Sequence, residues 1–156
     1  MSLLSVFGLF RTTQQHFSEA DEQRIVEAIR AAEMRTSGEI RIYIESRCRF
    51  VDPVDRAAEV FFGLQMEKTA DRNGVLLYFA MKDRQLAIFG DEGIHRIVGT
   101  LFWNGEVAKI LSEFRSDHHA DGIIGIVQDI GAVLQEKFPY HSEDKNELPD
   151  NIIFGR

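Results

Sequence analysis

The stretch Thr69–Glu92, TADRNGVLLYFAMKDRQLAIFGDE, constrains the fold more than any other part of the chain. Val75 to Met81 is a nearly unbroken apolar run, of the length and aromatic content expected of a strand covered on both faces. Leu86 to Phe89 is a second, shorter run, and Lys82, Asp83 and Arg84 form a tight polar connection between them. The pair reads as a β-hairpin. Antiparallel pairing brings the start of the first strand and the end of the second to one sheet edge. That edge collects Asp71, Arg72, Asn73, Asp91 and Glu92.

The segments before the hairpin supply its neighbours. Ser18 has the character of a helix N-cap, with Asp21 at the third helical position, and Ile25, Ala28, Ile29 and Ala32 follow at helical spacing to about Arg35. Glu39 to Ser46 alternates, with Ile40, Ile42 and Ile44 on one face and Arg41, Tyr43 and Glu45 on the other, the pattern of a half-exposed strand near a sheet edge. Asp52-Pro53 opens the next helix, where proline needs no N–H and acidic residues favour the positive dipole end. Strand, helix and strand make a right-handed βαβ unit with parallel strands, so Ser37 and Glu39 join the same edge.

Beyond the hairpin, Asp91 is placed to cap a short helix carrying Ile94, Ile97 and Val98, and a further helix is expected from about Asn104. Asp121-Gly122 opens a long one stopped by Pro139. The predicted fold class is α/β, a three- to four-stranded mixed sheet (βαβ plus β-hairpin) sandwiched by helices. Residues 17–139 read as one domain, 1–16 as a flexible or docking leader, and 140–156 as a polar extended tail.

With 156 residues, 44% of them hydrophobic and 12 Phe, the chain suffices for one sizeable core. The net charge of -7 argues against a nucleic-acid partner, since neutralising phosphates needs a basic face. Cys48 is the single cysteine, which excludes an internal disulfide. In the leader, Leu3 to Phe10 is apolar but lacks the positive region that precedes a signal-peptide core, and it is shorter than the roughly 20 residues a span needs. No transmembrane segment is expected, and the compartment defaults to the cytoplasm.

At RNGVLLYFAMKDRQLAIFGDEGI, preceded by SGEIRIYIE, the chain resembles the TPM domain family, named partly for thylakoid-lumen phosphatase-like proteins. The resemblance rests on Asn73-Gly74 before an apolar strand, Asp83-Arg84 in the hairpin turn, and Gly90, Asp91 and Gly93 at a helix start. FRSDHHADGI and IGAVLQEKFP are similar to the family's later helices, with Asp117 and His119 where glycine and an aromatic residue are common. The resemblance implies a small α/β sandwich. It also implies activities associated with members of the family: divalent-cation binding in some bacterial proteins, and acid phosphatase activity and photosystem II repair in plants. Many members carry a signal peptide and a membrane helix, features without a counterpart in the pattern here.

The acidic edge is the principal candidate site. Ca²⁺ and Mg²⁺ are hard cations that take carboxylate and carbonyl oxygens, and Asp71, Asp91, Glu92 and Glu39 with the Asn73 amide are the candidate ligands. Arg72 is the candidate anion-binding group beside them. Two functions use this edge: a cation-binding regulatory or accessory module acting through a protein partner, membrane-associated partners included, and a metal-assisted phosphomonoesterase in which the metal polarises the phosphoryl oxygen. No catalytic nucleophile is evident. At the opposite end, Arg47, Arg49, Lys82 and Arg84 offer a second anion-docking candidate, and His118 and His119 beside Asp117 and Asp121 a transition-metal one. A purely structural interaction domain is the remaining reading.

Overall fold

The fold was taken from a computed structural model of the chain, which describes residues 17–115, 118–140 and 152–155. The leader falls outside these residues. Ser18 caps the first helix, α1 (Glu19–Glu33), its side chain accepting from the Asp21 amide. Strand β1 (Glu39–Glu45) follows, then α2 (Pro53–Gly63), whose N-cap Asp52 accepts from the Val54 amide at 2.9 Å. The hairpin is β2 (Gly74–Ala80) and β3 (Gln85–Gly90). Helices α3 (Glu92–Arg115) and α4 (His119–Lys137) precede a two-residue strand, β4 (Ile153–Phe154).

The sheet order is β3-β2-β1-β4. β1 and β2 run parallel with Glu39 opposite Gly74, and β2 and β3 are antiparallel with Val75 opposite Gly90, so the βαβ unit and the hairpin both form as the sequence predicts. The sheet is four-stranded and mixed, with helices over both faces.

Each face carries its own core. Ile40, Ile42 and Ile44 with Val75, Leu77 and Phe79 pack against residues of α1, α3 and α4, including Ile25, Ile29, Ile110, Ile123 and Ile130. On the other face Leu76, Tyr78 and Ala80 meet Ala57, Val60 and Phe61 of α2. This double cover explains why every residue of β2 is buried.

Two expectations change in detail. β1 is not half-exposed: Glu39 and Glu45 are buried, because α2 covers the polar face and β4 pairs with Tyr43 and Ile44 on the flank. The helix break after Asp91 falls at Gly99 (φ 76, ψ 172) instead of near Asn104. Only glycine adopts that backbone readily, so α3 is two helical segments meeting there. Trp103 is consequently helical and buried, and it packs so closely on Gly90 that a Cβ there would lie 2.4 Å from its ring.

Candidate functional site

The acidic edge is assembled by the start of β1, the loop before β2 and the start of α3. Arg72 sits at φ 50, a left-handed conformation that turns the chain sharply into β2. Its carbonyl accepts from the Gly93 amide at 2.8 Å, tying the loop to the first turn of α3. No side chain fits at position 93, where a Cβ would lie 2.1 Å from the Asp71 carbonyl oxygen and 2.6 Å from that of Arg72. Backbone contact thus explains the second glycine of the Gly-Asp-x-Gly pattern, and the Trp103 ring explains the first.

Asp91 follows β3 and caps α3, its Oδ1 accepting from the Glu92 amide. It is buried, and Arg72 meets it in bidentate fashion, Nε to Oδ2 at 2.7 Å and Nη2 to Oδ1 at 2.9 Å. This hydrogen bonding raises the Arg72 pKa further above its ordinary value. Glu92 is exposed and lies 3.4 Å from Arg72 Nη1.

A second cluster adjoins. The Asn73 amide nitrogen donates to Ser37 Oγ at 3.2 Å, and Ser37 Oγ lies 3.4 Å from Asp71 Oδ2. Asn73 is 1% exposed, and its Oδ1 is buried without a hydrogen-bond partner. Glu39 is buried at the start of β1, its amide 3.5 Å from the Asn73 carbonyl.

All the candidate residues therefore reach one edge, but in two groups. Asp71 and Asn73 share Ser37, whereas both oxygens of Asp91 are engaged by Arg72. Among the described residues no three His, Cys, Asp or Glu side chains converge on one point. The donor set nevertheless fits a hard cation: the Asp71 carboxylate, the Ser37 hydroxyl and the orphaned Asn73 amide oxygen are all oxygens. Recruiting Asp91 would require Arg72 to let go.

The opposite end holds a buried network that alternation alone did not reveal. Glu45 receives Arg56 through Nε at 2.9 Å and Nη2 at 3.0 Å, and the buried Tyr78 hydroxyl donates to Glu45 Oε2. Burial, then the bond to Glu45, raises the Tyr78 pKa far above its usual value. Arg47 pairs with Asp83 at 3.0 Å, and Asp83 also accepts from the Cys48 amide, so this hairpin-turn acid fastens the β1–α2 loop. His119 Nε2 lies 3.2 Å from the Phe114 carbonyl, and Asp117 falls outside the described residues.

A parallel βαβ unit extended by a hairpin, with helices on both faces and a charged loop edge, defines the class of this protein as a small α/β sandwich. The chain belongs to the TPM domain family, whose domain matches residues 11–133. It is similar to the BA42 protein of the psychrophilic bacterium Bizionia argentinensis, at 37% identity and a TM-score of 0.83, covering 90% of this chain and 96% of that one. The N-terminal domain of a P. gingivalis protein shares the fold at 20% identity and a TM-score of 0.64, over 80% of this chain and 82% of that one. That of cg2496 from Corynebacterium glutamicum does so at 13% identity and 0.55, over 89% and 81%. No curated protein matches. Among the described residues no helix is long and apolar enough to cross a membrane.

Proposed function

We propose that this TPM domain protein is a divalent-cation-binding regulatory or accessory module, holding Ca²⁺ or Mg²⁺ at the amino edge of β1 and β2 and acting through a protein partner. The observation that carries the reading is Asn73 Oδ1, an amide oxygen buried without a donor on the side chain whose amide nitrogen meets Ser37, itself 3.4 Å from Asp71. Leaving such an oxygen unmatched is costly, and a hard cation is one group that relieves it. Asp71, which is exposed, supplies charge and an entry side, with Glu92, Asp91 and Glu39 as further acids of the same edge. Cation binding there would draw Asp71 inward and shift the Arg72–Asp91 pair, changing the surface presented to a partner.

The test is a thermal melt of the full chain in EDTA, then with Ca²⁺ or Mg²⁺. A cation at 100 times its dissociation constant stabilises by about 2.7 kcal/mol, roughly 5 to 10 °C for a domain of this size. The absence of any shift up to millimolar cation overturns the reading.

A second reading, metal-assisted phosphomonoester hydrolysis, draws support from the Arg72 guanidinium, fixed by Asp91 yet 36% exposed beside the cation edge. There it would neutralise charge on a phosphoryl group. Metal-dependent turnover of p-nitrophenyl phosphate that vanishes in D71N is its expected signature, and cation binding without turnover leaves only the first reading.

A further inference from the structure

Away from the acidic edge, α4 and the second segment of α3 enclose a cleft of about 460 Å³, within the range of small-molecule sites. Its lining includes Glu106, Lys109 and Glu113 from α3 and Asp121, Gln128 and Asp129 from α4. The acids lie in two pairs along the antiparallel helices. Glu106 and Asp129 are joined through Lys109 Nζ, 3.5 Å from one and 3.0 Å from the other. Glu113 packs on Gly122, next to Asp121, where a Cβ added at 122 would lie 2.8 Å from the Glu113 Cβ. Seven helical residues separate Glu106 from Glu113, a rise of about 10 Å.

Glu106 is the unusual member. It is 4% exposed, and its Oε2 is buried with no hydrogen-bond donor. Carboxylates are rarely buried this way unless something positive accompanies them. Lys109 supplies only part of that need: it is 67% exposed and its contact to Glu106 is long.

We propose that the cleft between α3 and α4 binds an alkyl polyamine, one ammonium group seated between Glu106 and Asp129 and a second toward Glu113 and Asp121. The linear spread of the acids selects this class. A metal ion needs ligands that converge, and among the described residues no three acids do so. A ligand whose own charges are spaced along an apolar chain matches acids spaced along two helices. Lys109 is then an internal competitor, which swings out when the ligand's ammonium takes its place.

Protonation supports this arrangement. Burial, then the neighbouring Asp129, pushes the Glu106 pKa up to about 7, with Lys109 opposing. The groups facing it are Lys109 on its own helix and Asp129 on α4, with Glu113 and Asp121 farther along, Asp121 itself held by Arg24 of α1 at 2.7 Å. Near neutrality a proton therefore competes with the ligand for Glu106, so binding weakens as pH falls from 8 to 6.

The experiment is a titration of the full chain with spermidine, followed by amide NMR shifts at pH 8 and at pH 6. Shifts confined to α3 and α4 around the cleft, weaker at pH 6, are expected. E106Q retains the shape but not the charge and weakens binding about tenfold or more. K109A removes the competitor and tightens it, whereas K68A, an equal change in net charge at an exposed lysine, leaves it unaltered. The proposal is overturned by an absence of shifts, by shifts scattered over the acidic surface, or by Mg²⁺ reproducing them at the same residues and concentration. Equal effects of K109A and K68A, or unchanged binding by E106Q, overturn it too.

Discussion

Arg72 grips both carboxylate oxygens of Asp91, at 2.7 and 2.9 Å, from a backbone conformation with φ 50. Asp91 is 2% exposed and also caps α3. This contact links the loop before β2 to the helix after β3. D91N weakens charge-assisted hydrogen bonds of the kind that contribute about 2 kcal/mol, and it is expected to lower the midpoint of chemical denaturation accordingly. R72A strands a buried carboxylate and is expected to destabilise more than D91N. The double variant should be less damaged than the sum, which a double-mutant cycle measures.

Gly93 has no room for a side chain, since its Cβ would overlap the Asp71 carbonyl. G93A is expected to cost about 3 kcal/mol, the upper range for overpacking, because the obstacle is backbone. If the cation reading holds, the same substitution abolishes the Ca²⁺-dependent rise in melting temperature even where the domain remains folded at low temperature. D71N, exposed and clear of that packing, should remove the cation response while leaving the EDTA melt unchanged.

The Glu45–Tyr78–Arg56 network predicts a stability effect without a functional one. Y78F deletes a hydroxyl bonded to a buried carboxylate and is expected to cost about 2 kcal/mol. Calorimetry checks the loss, and the cation-induced shift should persist, because the network lies at the far end of β1 and β2 from Asp71.

Glu106 gives the stability a pH dependence. Its folded pKa of about 7 lies above the ordinary 4.5, so the folded state holds the extra proton between these values. Stability from this group is full below about pH 4.5 and is lost as pH rises through 7, a change on the order of 3 kcal/mol. E106Q removes that dependence. The variant is expected to melt higher than the parent at pH 8 and close to it at pH 5, and scanning calorimetry at the two pH values distinguishes this from a uniform shift.

The parallel βαβ unit and the hairpin were legible because their signals are local: alternation in Glu39–Glu45, Asp52-Pro53 at a helix start, and the apolar run from Val75. The gathering of Asp71, Asn73, Asp91 and Glu92 followed from strand direction alone. Their partition between Ser37 and Arg72 did not, since it depends on side-chain reach and on the left-handed turn at Arg72. Burial of Glu45 escaped alternation because α2 covers the polar face of β1, a tertiary fact. Glu106 left a trace: three residues after Trp103 and four before Ile110, it falls on the buried stripe of its helix, where an acid stands out. β4 was hidden in a polar tail too short in apolar residues to declare a strand.

That last strand bears on the order in which the molecule comes together. The hairpin closes a loop of a few residues, whereas Tyr43 meets Ile153 from 110 positions away in the sequence. Loop closure over such a distance is entropically disfavoured until other contacts have drawn the ends together. β4 is therefore expected to dock last and come away first, a latch on an otherwise completed sheet. Buried Ile152 and the Gly155 amide bonded to the Ile44 carbonyl hold it shut. Exchange of that amide with solvent should outpace exchange in β2, and opening the latch would uncover the flank of β1 as a ready strand-pairing surface.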